Sequence, residues 1–181
     1  MKATEDLKVS KYFYLPELIP PDLFSSQGIN AKEKLSPILL KLIDKIREAW
    51  GKPLFINNWL QSYTGTKESA EKCLINPSLF KYCGYRPPNC TEGAKLSDHR
   101  GAKNLQGQCE AVDLHAFEPE IKLWEMIYKN YNNFPELTKL EDKLLTIKNN
   151  RGWVHVSVAH TGYNGVYVID NVKVTEKLNR K

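Results

Sequence analysis

The sequence predicts an α+β domain, a small and mostly antiparallel sheet with helices packed on one side. Three observations lead there. Helical periodicity marks 36–50 and 119–131, while strand-like alternation dominates from residue 144 onward. The 181 residues are 41% hydrophobic, enough to bury one core and too few for two, so the chain reads as a single domain over 1–181.

The first clear element is a helix. Ser36-Pro37 leads into Leu39, Leu42, Ile43, Ile46 and Trp50, with Ser36 as N-cap, Pro37 in the first turn and Gly51 just past the end. Pro53-Leu54-Phe55-Ile56-Asn57 then reads as a short buried strand. From Gln61 to Lys95 the chain is rich in Tyr, Cys, Asn, Pro and Gly without a clean period, which predicts loops with one helical stretch near Lys67 to Cys73. Glu110 to His115 reads as a strand. Pro119 to Tyr131 reads as a second helix, with Ile121, Trp124, Ile127, Tyr128 and Tyr131 on one side. Leu144 to Lys148, Trp153 to Val158 and Gly165 to Asp170 follow as strands, the first two joined by an Asn149-Asn150-Arg151-Gly152 turn. There is no internal repeat and no low-complexity tract.

Charge narrows the partners. Lys and Arg number 26 against 21 Asp and Glu, a formal charge of +5, and the basic residues are scattered rather than striped. No nucleic-acid partner is expected. Lys173, Lys177, Arg180 and Lys181 make a basic tail that reads as a solvated, frayed terminus. Met1 to Ser10 carries charges where a signal peptide needs an apolar stretch, and no segment reaches the length of a membrane span. The expectation is a protein made in a cytoplasm, with no export by that route and no membrane partner. Cys73, Cys83, Cys90 and Cys109 form no CxxC pair, so reduced, partly buried thiols are expected, with a disulfide only outside the cell.

Chemistry-bearing residues fall in three short segments. In Trp153 to Val158 the valines share one strand face, which puts His155 with Trp153 and Ser157 on the other. Asp113 sits in a strand between Val112 and Leu114. A carboxylate there needs a cation or several donors, supplied by an Arg or Lys or by a metal ion. His99 follows a loop dense in Gly, Asn and Pro.

Gly84-Tyr85-Arg86-Pro87-Pro88, Ser97-x-His99, Gly107 through Ala111-x-Asp113, and Trp153-Val154-His155-Val156 resemble the motifs of the zinc D-Ala-D-Ala carboxypeptidase family, which shares its α+β fold with the Hedgehog signalling domain. Lys11-Tyr12-Phe13 with Glu17-Leu18, then the helix and the Gly51-Lys52-Pro53 strand entry, are similar to members found in bacterial viruses, so the likeness covers nearly the whole chain. The resemblance implies a Zn2+ ion held by His99, Asp113 and His155. It also implies that Arg86 orients a peptide carboxylate or carbonyl and that Ser97 lies beside the substrate. Read from the residues alone, Arg86 serves equally as a loop arginine capping backbone carbonyls, and Ser97 as a turn former before His99. The implied reaction is metal-assisted hydrolysis of peptidoglycan peptides, in which a nearby carboxylate carries the proton from water to the leaving amine.

The chain departs from the family pattern in two ways. Relatives often carry the general-base Glu three residues before the last ligand, where this chain has Gly152. Glu110, Asp98 and Glu92 are the nearest acids, and the sequence does not choose among them. Relatives also place the aspartate closer to the first histidine, whereas Asp113 is fourteen positions after His99. The extra residues, about Gly101 to Gln106, either loop out between fixed ends or draw His99 away from the ion. His115, at i+2 from Asp113, is then a substitute ligand, while His160 would face away from His155 on an uninterrupted strand. Two functions follow: a viral cell-wall peptidase, or a structural virion component, partnered by other tail or capsid proteins, that keeps the fold without the activity.

Overall fold

The computed structural model describes residues 7–57, 59, 66–74, 76, 82–91, 97–101, 107–148, 153–170 and 173–180. Its architecture is α+β. Six strands, β1 (Leu54–Phe55), β2 (Ala111–Ala116), β3 (Lys139–Glu141), β4 (Val154–Ser157), β5 (Gly165–Asp170) and β6 (Lys173–Asn179), form one sheet in the order β1-β2-β4-β3-β5-β6. Every neighbouring pair is antiparallel except β3 with β5. The described helices are α1 (Leu15–Leu18), α2 (Pro21–Gln27), α3 (Pro37–Trp50), α4 (Lys67–Leu74), α5 (Glu120–Lys129) and α6 (Lys143–Lys148).

The core forms where period-3.6 and period-2 patterns meet. Leu39, Leu42, Ile43 and Ile46 of α3 and Leu123, Trp124 and Ile127 of α5 join Val112, Leu114, Leu140, Val154 and Val156 from the sheet in one buried cluster. Helix α5 lies on β2 and β4, and α3 packs beside α5. Each aliphatic side chain so buried contributes roughly 1.5–3 kcal/mol, which is why the valine face of β4 is fixed inward and His155 outward. Ser36 stands at the α3 N-cap as expected, but its side chain makes no cap bond, and its backbone N–H donates instead to Cys109 O at 3.1 Å.

Three expectations change. The segment 144–148 is helix α6 and not a strand, because Asp142 starts it: Asp142 Oδ1 accepts from Leu144 N at 2.8 Å and its carbonyl accepts from Leu145 and Thr146. The strand lies just before it, at β3, too short to show a period. The expected strand 53–57 contracts to β1, since Asn57 turns its amide to the Glu17 carbonyl at 2.9 Å. The described part of the basic tail is not frayed: Lys173 and Lys177 lie in β6, paired with β5, Leu178 is buried opposite Val166, and Arg180 donates to the Phe134 and Leu137 carbonyls, while Lys181 lies outside the described residues. The expected turn at Asn149 to Gly152 lies outside the described residues. Among the described residues no helix is long and apolar enough to cross a membrane, and none of the four cysteines forms a disulfide.

Candidate metal centre

Strands β2 and β4 carry two of the candidate ligands side by side. Their register sets Asp113 directly opposite His155, on the face opposite Val112, Leu114, Val154 and Val156. Side chains opposed across an antiparallel pair stand about 5 Å apart at Cβ, close enough to touch. Asp113 Oδ1 lies 2.8 Å from His155 Nδ1.

The third group comes from a loop. Ser97, itself extended, caps a single 3-10 turn, Asp98–Arg100, its Oγ accepting from His99 N at 3.3 Å. That is the turn-forming role of a serine, and it delivers His99, 2% exposed, over the sheet. His99 Nε2 lies 3.2 Å from His155 Nδ1 and 3.5 Å from Asp113 Oδ1. The three residues form a group able to hold a metal ion, one ligand atom from each, all within 4.8 Å of one another.

The far side of His99 fixes its tautomer. Nδ1 lies 2.8 Å from Gly84 O, and a carbonyl can only accept, so Nδ1 carries the proton and Nε2 presents its lone pair to the centre. Gly84 reaches this place because it has no side chain: a Cβ there would stand 2.2 Å from Leu18 O. Tyr85 N donates to that same Leu18 O at 2.7 Å, and Arg86 N donates to His99 O at 3.0 Å. Helix α1, the 84–86 segment and the His99 turn are thus stitched together.

Arg86 faces the centre from behind the aspartate. Its Nη2 donates to Asp113 Oδ2 at 3.3 Å and its Nε to Tyr82 O at 2.6 Å. The salt-bridge reading of Asp113 and the metal reading are therefore compatible: one carboxylate oxygen serves the arginine and the other faces the two imidazoles. The carbonyl-capping reading of Arg86 also holds, while Nη1 has no hydrogen-bond partner among the described residues.

Electrostatics follow from burial and proximity. Burial pushes the Asp113 carboxyl up, but the charges of the two histidines and their hydrogen bonds outweigh it and hold Asp113 far below the usual carboxylate range. Burial lowers His99, and Asp113 only partly offsets it, so His99 stays below its ordinary value. Burial acts in the same direction on His155, yet the hydrogen bond and charge of Asp113, with the charges of Glu141 and Asp98, raise it.

The lengthened connection does not draw His99 away. Glu110 N donates to Asp98 O at 2.9 Å, and Gly101, at φ 59°, presses on the Gln108 backbone, where a Cβ would come within 2.1 Å of the carbonyl oxygen. Both ends are pinned, and residues 102–106 between them lie outside the described residues. His115 is not drawn in as a ligand. It stacks on Phe55 at 5.1 Å, meets Trp153 edge-on at 6.0 Å, and has Cys83 Sγ 3.5 Å from its Nε2. His160 is exposed.

Of the three acids considered for proton transfer, Asp98 is engaged by Lys139 Nζ at 2.5 Å and Ser157 Oγ at 2.9 Å. Burial raises its pKa, yet these partners lower it further than burial lifts it. Glu110 has the strand parity of Val112, on the face away from Asp113. Glu92 lies outside the described residues. A further acid, Glu141 on β3, is buried at 5% exposed; placed between Leu140 and Asp142, it carries no signal of that in its sequence neighbourhood. Compared with protein-family models, with curated proteins and with solved structures, the chain finds no match in any of the three.

Proposed function

We propose that this chain is a zinc-dependent peptidase-like domain of a bacterial virus, of the Hedgehog/DD-peptidase type, that hydrolyses short peptides of the bacterial cell wall. One observation carries the reading: His99, Asp113 and His155, far apart in sequence, converge with separations of 2.8, 3.2 and 3.5 Å. A tetrahedral zinc with bonds of about 2.0–2.1 Å separates its ligand atoms by about 3.3 Å, so the triangle fits that ion, and two imidazoles with one carboxylate suit it chemically. The Nδ1–H of His99 on Gly84 O and Nη2 of Arg86 on Asp113 are the outer partners such a centre needs.

When bound, zinc supplies an activated water and a Lewis acid for the scissile carbonyl. The chain's own residues do the rest. Asp113 and His155 would hold the ion from the sheet and His99 from its turn, and Nη1 of Arg86 offers two donors to a peptide carboxylate or carbonyl. The protein would be made in the host cytoplasm and act at the wall, free or borne on the virion beside other virion proteins.

The test has two arms. Purified protein should carry about one zinc per chain, and His99→Ala and His155→Ala should each lose it; equal zinc in all three would remove the proposed site. Incubation with purified peptidoglycan or short D-amino-acid peptides should release new amines. Gly152 favours a second reading, a structural virion component, and zinc without any cleavage would select it.

A further inference from the structure

The turn that carries His99 holds three neighbouring side chains with three different tasks. A 3-10 helix has three residues per turn, so the consecutive side chains of Asp98–Arg100 leave the axis about 120° apart. His99 points over the centre, its Nε2 3.2 Å from His155 Nδ1. Arg100 reaches the segment that follows Arg86, donating from Nη1 to Pro88 O at 2.8 Å and from Nη2 to Cys90 O at 2.5 Å. Asp98 goes down to the sheet. Its Oδ2 accepts from Ser157 Oγ on β4 at 2.9 Å and from Lys139 Nζ on β3 at 2.5 Å. Those two partners are opposed across the β3–β4 ladder, and Ser157, two positions after His155, shares its strand face. Asp98 and Ser157 are buried and the Lys139 side chain is 14% exposed, so water screens the pair little.

The turn has few bonds of its own. Arg100 N donates to Ser97 O at 3.0 Å and Gly101 N to Asp98 O at 3.2 Å, and a single 3-10 turn has little stability without tertiary partners. One peptide unit, about 3.8 Å between Cα atoms, joins Asp98 to His99, so a carboxylate fixed on the sheet leaves the neighbouring imidazole little room to move. We propose that Asp98 is the positioning residue of the metal centre, and that Lys139, which bonds to Asp98 and to none of the three ligands, sets the affinity for the ion by holding Asp98 on the sheet. This rests on the metal reading of His99, Asp113 and His155 and requires no peptide cleavage.

The sign of one substitution separates positioning from simple charge. Removing a lysine from the neighbourhood of a dication would, by Coulomb attraction alone, tighten binding. Acting through Asp98, the same removal leaves a buried carboxylate without its cation, the turn moves to bring that charge to solvent, and binding weakens. The test uses the full chain and cobalt(II), whose visible absorption reports ligand geometry. Lys139→Met should bind cobalt about tenfold to 100-fold more weakly than the wild type, with an altered visible band, while Lys139→Arg, which keeps the cation, should stay within about threefold. Asp98→Asn should weaken binding by a similar factor, and the double variant Asp98→Asn with Lys139→Met should be no weaker than either alone, because both act through one contact. A Lys139→Met protein that binds cobalt as tightly as the wild type or more tightly, with an unchanged band, would overturn the proposal. Ser157→Ala removes the other anchor without changing charge and tests the same contact should Lys139→Met fail to fold; unchanged cobalt binding there overturns the proposal equally. A wild type that binds no cobalt removes this inference and the metal reading together, whereas a wild type that binds it no better than the variants removes this inference alone.

Discussion

At His155 a proton would compete with a bound ion for the same atom. Burial alone would favour the neutral ring, but Asp113 and the neighbouring carboxylates raise its pKa, so that competition extends to higher pH than at an ordinary imidazole. The sign is fixed: as pH falls below that raised pKa, zinc affinity should fall about tenfold per unit for one displaced proton. Competition against a chromophoric chelator across pH 6 to 8 measures it, and a flat affinity would mean that His155 is no ligand. Residue chemistry is also where the sequence was most legible. His99 and His155 stood out as imidazoles and Asp113 as a strand-buried acid, but it was the resemblance of their motifs that grouped the three. Gly84 was visible only as part of a motif, since it acts through its carbonyl oxygen and its missing Cβ, neither of which a side-chain reading detects.

Among the described α-helices, α1 is the shortest, and it carries a pH-sensitive contact. Glu17 Oε2 accepts from Tyr14 N at 2.9 Å and so closes the first turn. Burial pushes this carboxyl up to about 7, the Tyr14 bond offsetting only part of that. The folded state therefore prefers the neutral acid. The stabilisation is full below the ordinary carboxylate value and is lost as pH rises through about 7. Between pH 4.5 and 8 the wild type should lose roughly 3 kcal/mol relative to Glu17→Gln, which keeps the acceptor without ionising, in urea titrations. Parallel pH profiles for the two proteins would refute it. Long periodic elements such as α3 and α5 were readable in advance. Helix α6 was not, because its six residues are too few to separate period 2 from 3.6, and the Asp142 cap was the only local signal.

Across the whole molecule, the β5–β6 hairpin completes a sheet whose interior strands carry the centre. Strand β6 is exposed along most of its length and buries Leu178 alone, so its composition resembles that of a loose tail. What orders it is the backbone ladder to β5, which no composition reveals. Leu178→Ala should cost about 2 kcal/mol and lower the urea midpoint; an unchanged midpoint would mean that the tail contributes nothing. The α+β class was legible because it follows from where each periodicity falls. The strand order was not, since the parallel β3–β5 contact brings together segments separated by α6 and β4.

The connection between His99 and Asp113 enters and leaves through two clamps, Asp98 O on Glu110 N and Gly101 against Gln108. These two contacts join the His99 turn directly to the lead-in of β2, so a side chain placed at Gly101 would push the Asp98–Arg100 turn off the Gln108 backbone and displace His99 with it.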